Sequence, residues 1–203
     1  SAILIWLLRQ LKKTTRHFNL HNLNDVPQKT KEAEKWLRRK YKDNTNLMKI
    51  QTDVTQMYTY LEHSQIRSAI IWLLGETVKN TKNRKHQTGW ISISKQKEIK
   101  VNENSPKYDI HWKKTHSDSY HNIRLDDIML FIEIDLSLAY SKIGDTIHIQ
   151  HKGCPIGGIL SGAYATIKCA HDEHFFLRKQ EKNGIRILRH QTDGRPNIMD
   201  SLP

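Results

Sequence analysis

Residues 152–161 read K-G-C-P-I-G-G-I-L-S and are the most informative ten positions in the chain. Glycine admits φ > 0 and lets another backbone or a nucleotide come close to its own. Pro155 fixes the turn between Gly153 and Gly157. From Ser161 the chain continues into a helical stretch carrying small residues, Gly162, Ala163, Ala165 and Ala170. Alone, such a loop fits many sites. Its weight comes from Asp53-Val54-Thr55-Gln56-Met57-Tyr58 upstream and Arg189-His190-Gln191-Thr192-Asp193-Gly194 downstream.

In that order the three segments resemble motifs A, B and C of the reverse transcriptase palm. The nearest likeness is to Penelope-like retroelement enzymes, whose motif A runs D-V-x-x-L-Y-T-x-x-x-H. Here Asp53 to His63 read D-V-T-Q-M-Y-T-Y-L-E-H. The family's motif B, Q-x-K-G-x-x-M-G-x-x-x-S/A-x-x-x-A, is matched at Gln150, Lys152, Gly153, Gly157, Ser161 and Ala165, with Ile156 in place of the methionine. The likeness covers roughly residues 30 to 200, with a poorly matched middle. It implies an α+β fold: a partial reverse-transcriptase-like palm, a small antiparallel sheet packed by helices, with an N-terminal helical segment and a basic insertion.

Nucleotidyl transfer holds two divalent cations between carboxylates, and oxygen ligands suit Mg²⁺. By the resemblance, Asp53 is the motif A ligand and Asp193 a motif C remnant. Tyr58 lies beneath the incoming sugar, and Gly153, Pro155, Gly157 and Ser161 border the nucleotide. Motif C departs from the family's aromatic-x-Asp-Asp. One register sets His190 at the aromatic, Thr192 at the first Asp and Asp193 at the second; the other sets Asp193 first and Gly194 second. Either way one carboxylate is absent. Its loss from a two-metal site costs on the order of several kcal/mol of charge stabilisation. The family's P-K-x-H-K region has no counterpart around Lys12, Lys13 and Arg16, and no thumb precedes Pro203. The expectation is a decayed or partial reverse transcriptase, a fragment or processed piece.

Two further stretches imitate sites. Phe131 to Tyr140, F-I-E-I-D-L-S-L-A-Y, also sets an Asp five positions before a Tyr, but Asp135 lies too near Gly153 for the helices that separate motifs A and B. Cys169, His171, Glu173 and His174 suggest zinc, yet they crowd one helix with no second ligand pair at a matching spacing, so they read as a partly exposed helix face.

Thirty-three Lys and Arg against 21 Asp and Glu give a net charge of +12, with 12 further histidines. A pI near 9.7 points to a polyanionic partner, most simply nucleic acid. Five Trp and seven Tyr are present; such rings stack on bases, although most occupy apolar positions that read as core. Two cysteines, Cys154 and Cys169, make no disulfide framework and suit a reducing compartment. The opening run S-A-I-L-I-W-L-L ends at Arg9. It is too short to span a bilayer and lacks the features of a signal peptide, so no membrane partner is expected. A chain of 203 residues suits one domain, or one and a fragment, and is long enough to bury a real core.

Along the chain, residues 2–12 predict a helix. Pro27 and Thr30 open a second, with Ala33, Trp36, Leu37 and Tyr41 on one face. Its other face carries Lys31, Lys35, Arg38, Arg39, Lys40 and Lys42, a single-signed surface suited to tracking phosphates. Leu47 to Val54 read as a strand ending at Asp53. Ser64 is a candidate N-cap for a helix through Leu74. Residues 80–122 show no sustained period; Trp90 to Ser94 suggest a strand with a partner near Ile99 and Val101, and the whole reads as a surface arm. Leu125 to Tyr140 is helical or mixed, Thr146 to Gln150 alternates like a half-buried strand, and Ile185 to Arg189 is another strand. The organisation expected is a helical remnant of fingers over 1–46, palm with motif A over 47–79, a basic insertion over 80–124, and palm with motif B and degenerate motif C over 125–203.

The leading expectation is a reverse-transcriptase-derived RNA-binding protein without catalytic activity. It would serve as a structural component of a ribonucleoprotein such as an organellar ribosome, beside other protein subunits. Lys35, Arg38, Arg39, Lys40 and Lys152 are its candidate nucleic-acid contacts, and it needs no cofactor. A mitochondrial or other organellar compartment fits, with the nucleus as the alternative. The competing expectation is a fragment of an active RNA-directed DNA polymerase of a retroelement, with Mg²⁺ on Asp53 and Asp193. A third is a telomerase-like or maturase-like protein that binds one specific RNA.

Overall fold

The apolar opening run forms α1 (Ala2–Leu11), which buries Leu4, Leu7, Leu8 and Leu11, the spacing of one helical face. The computed structural model describes residues 1–11, 25–41, 57–81, 89–98, 107–155, 157–182, 189–190 and 196–197. In α2 (Asp25–Tyr41), Pro27 sits in the first turn, where a missing N–H leaves no partner unpaired. Ala33, Trp36 and Leu37 are half-buried. A single turn, α3 (Met57–Tyr60), precedes α4 (His63–Thr81). That helix runs past the expected end at Leu74, and its buried Ile66, Ala69, Ile70 and Leu73 share one face.

The described residues of 89–124 form a sheet joined to the core, which for them corrects the expectation of a surface arm. Strands β1 (Trp90–Glu98), β2 (Lys107–Trp112) and β3 (Tyr120–Arg124) pair antiparallel in the order β2-β1-β3. Ile91 opposes both Trp112 and Ile123, and Ile93 opposes Ile110. Directly opposed residues share a face, so these five apolar side chains lie together. Ile91 is fully buried, Ile110, Trp112 and Ile123 pack on the same cluster, and the Trp6 ring of α1 lies 5.2 Å from that of Trp112. On the opposite face Ser92 and Ser94 are also buried; the start of the 113–119 loop meets Ser92, while the Ser94 hydroxyl donates to the Gln96 carbonyl and accepts the Asp109 N–H. The Ser92 hydroxyl meets the Lys113 carbonyl and Asn122 Oδ1 and accepts the Thr115 N–H at 3.0 Å. Ile99 and Val101, the expected partners of β1, lie outside the described residues.

Next come α5 (Asp127–Ser137), a hairpin of β4 (Tyr140–Ile143) and β5 (Thr146–Ile149), and α6 (Ser161–Lys182). The hairpin turns at Gly144, whose φ of 61° is the left-handed value a two-residue turn requires. Ile147 and Ile149 are 69% and 51% exposed, so β5 is not the half-buried strand its alternation predicts. The second motif-A-like stretch is helical: Asp135 sits within α5, where it accepts the Tyr164 hydroxyl at 2.7 Å, and not at a strand end. Last, β6 (Arg189–His190) pairs with β7 (Pro196–Asn197).

The whole is an α+β fold, small antiparallel sheets packed by helices. Helices α1, α4 and α6 pack on one another, and α5 and the three-stranded sheet close the same core around Leu7, Ile70, Ile132 and Ile167. Among the described residues no helix is long and apolar enough to cross a membrane. The expected strand over Leu47 to Val54 lies outside them.

Candidate nucleic-acid interface

A helix of one turn leaves its carbonyls without intrahelical partners, and α3 with the residue that follows it hands two carbonyls, one each, to the 152–161 loop. Cys154 N–H donates to the Tyr58 carbonyl at 2.7 Å, and Gly153 N–H donates to the Leu61 carbonyl at 2.9 Å. In return His63 Nε2–H donates to the Gly153 carbonyl at 3.0 Å. Only glycine fits at 153. Its φ is +82°, and a Cβ there would lie 2.6 Å from the Tyr58 carbonyl oxygen and 2.7 Å from that of Thr59. The loop is closed on itself by the Ser161 hydroxyl, which donates to the Pro155 carbonyl at 2.7 Å, while Gly158 N–H donates to the same oxygen at 3.0 Å. Gln150 anchors the other end through its N–H to the Ala139 carbonyl and its side-chain amide to the Lys152 carbonyl.

Around this junction the outer side chains are aromatic and charged. Tyr58 is 37% and Tyr60 62% exposed. Lys152 Nζ sits 5.1 Å from the Tyr60 ring centre and 3.7 Å from a Glu62 carboxylate oxygen. Both members of that ion pair are about half exposed, so it holds Lys152 weakly and leaves it able to exchange Glu62 for a phosphate. Beneath the loop the chemistry is closed off. Burial, aided by nearby Asp135, pushes the Cys154 thiol up to about 11. Burial and the hydrogen bond to Asp135 push the Tyr164 hydroxyl up. Neither group ionises near neutrality, so both serve packing. On the flank, Arg67 of α4 grips Glu133 of α5 with two nitrogens at 2.8 Å each, and this holds the Glu133 carboxyl below the usual glutamate range.

Of the residues expected at the site, Tyr58, Lys152, Gly153, Pro155, Gly157 and Ser161 come together here, whereas Asp53, Thr192 and Asp193 lie outside the described residues. The same holds for the side chain of Lys40. Lys35, Arg38 and Arg39 stand on α2, where with Lys31 and Glu34 they line a groove of about 440 Å³. That face is not single-signed: Arg38 donates twice to Glu34, at 3.0 and 2.9 Å, and Lys29 pairs with Glu32 at 2.9 Å. The acidic residues sit three and four positions from their cations, which puts them on the same surface. On α6, His171 and His174 pack their rings 5.5 and 5.4 Å from Trp72, and His171 Nδ1 lies 2.9 Å from Asp172. Tyr60 and Glu62 went unmarked in the sequence because only the spacing of Asp53, Tyr58 and His63 carried a signal. Comparisons with protein-family models, curated proteins and solved structures find no match.

Proposed function

We propose that this chain is a reverse-transcriptase-derived RNA-binding protein, a partial palm that serves as a structural subunit of a ribonucleoprotein such as an organellar ribosome. The observation that carries the reading is the backbone docking of the 152–161 loop on Tyr58–Leu61. The two stretches that bear the motif A and motif B likeness are ninety positions apart, measured from His63 to Gly153, and they meet through hydrogen bonds that force a glycine. The end of the order supports it too: a hairpin, the loop, a helix, then a strand pair on either side of residues 191–195, although the three-stranded sheet and α5 intervene between α4 and the hairpin. The net charge of +12 supplies attraction to RNA. Thr192, standing where an aspartate is expected, offers a neutral hydroxyl, which is a poor ligand for Mg²⁺; the scaffold needs no metal for this role.

The test is RNA retention beside primer extension, with the purified chain, Asp53→Ala, and Mg²⁺ or Mn²⁺. The reading expects RNA held at physiological salt and no extended primer. Extension that Asp53→Ala abolishes assigns a working RNA-directed DNA polymerase instead. Failure to hold RNA removes the reading.

A further inference from the structure

We propose that the groove between α3, the start of α4 and the middle of α6 receives one unpaired base of a single-stranded RNA, stacked on Tyr60. The inference rests on the RNA-binding reading and names the RNA class and the groups that take it. The groove holds about 360 Å³, room for a base with its sugar at the mouth. Met57, Leu61 and Cys169 form apolar walls, which suit the faces of a base.

Tyr60 lines the groove yet is 62% exposed, so its ring contributes little to the core and offers a stacking surface. Lys152 Nζ lies over the Tyr60 ring, 5.1 Å from its centre, so a base that stacks on that face takes the ammonium's place and leaves the long lysine side chain to reach the nucleotide's phosphate. Stacking partnered by a lysine is the recurring device of single-strand binding. Gln65 and Asp172, both exposed, line the same groove. An amide both donates and accepts, and a carboxylate accepts from an exocyclic amine. Burial acts to raise the Asp172 carboxyl, but hydrogen bonds from Lys168 and His171 outweigh it and hold the group low, so it is an acceptor at neutral pH. Bases in a duplex are paired and stacked and cannot enter; loops, bulges and single strands can.

The test uses the full chain and a short oligoribonucleotide carrying 2-aminopurine, single-stranded or annealed to its complement. Tyr60→Ala is expected to weaken single-strand binding by about tenfold or more, to abolish the quenching of 2-aminopurine, and to leave duplex binding unchanged. Tyr60→Phe, which keeps the ring, is expected to bind as wild type. Lys152→Ala should weaken both forms and lower the salt slope by about one. Unchanged single-strand affinity in Tyr60→Ala, with RNA still bound, overturns the base site and leaves the RNA-binding reading standing. An equal loss on both RNA forms overturns it as well. A wild-type chain that binds neither form removes both.

Discussion

The loop junction at 57–63 and 150–161 and the three-stranded sheet at 90–124 each draw distant stretches of chain together, and they do it by opposite means. At the junction a few backbone hydrogen bonds pass between a one-turn helix and a loop, and one close approach dictates the residue: Gly153, with two carbonyl oxygens where its Cβ would be. In the sheet a long ladder does the holding. There a strand accepts many side chains on each face, provided that one face is apolar and the other is satisfied. Close approach leaves a mark on a sequence; a ladder leaves little.

Substitutions break this comparison in a definite order. Gly153→Ala is expected to be the most damaging, by about 3 kcal/mol or more in urea unfolding, because strain at φ +82° adds to a clash with fixed backbone. Gly157→Ala is its internal control. Its φ is +87° but nothing lies within 4 Å of the added carbon, so only the conformational cost remains, about 1 kcal/mol. Equal losses at the two glycines would contradict the close docking.

Within the sheet, Ser92→Ala removes a buried hydroxyl that serves Lys113, Thr115 and Asn122. The expected loss is about 2 kcal/mol, with faster amide exchange in β1 and none of the change at α3 that Gly153→Ala brings. Beneath the junction, Cys154 should react with iodoacetamide more slowly than the partly exposed Cys169 in the folded chain at pH 8. The sign of its pH dependence follows from the upward shift. Above about pH 9 the unfolded thiol ionises first, so stability falls from there until the folded thiol follows near 11. Smallest is Glu133→Gln. Both partners of the Arg67 pair are about two-fifths exposed, so the loss is about 0.5 kcal/mol. Because the Glu133 carboxyl is held low, the pair's contribution is present at neutral pH and disappears on acidification through that lowered value.

What was legible follows the same division. The helices α1 and α4 announced themselves through apolar residues at helical spacing, and the 152–161 loop through its glycines. Strand β2, K-Y-D-I-H-W, does alternate polar and apolar residues, but over only six positions within a long polar stretch. Strand β3, Y-H-N-I-R, does not, because Tyr120 and Asn122 on its second face bond to Asp109 and Thr115. Ile147 and Ile149 suggested burial that the hairpin does not provide. Periodicity reports which residues share a face and is silent on whether anything covers it. The cations of α2 were counted correctly but their pairing was not, since Glu34 joins them only when the helix is wound. Tyr60 carried no signal, because an exposed aromatic reads the same as a buried one until its neighbours are known.

The most direct test of the central claim is ultraviolet crosslinking of bound single-stranded RNA, mapped by mass spectrometry of the crosslinked peptides. The account predicts adducts on the peptides that contain Tyr58 to Glu62 and Gln150 to Gly157, lost when unlabelled RNA competes. Adducts confined to α2 or to the 90–124 sheet, with none at the junction, would contradict it.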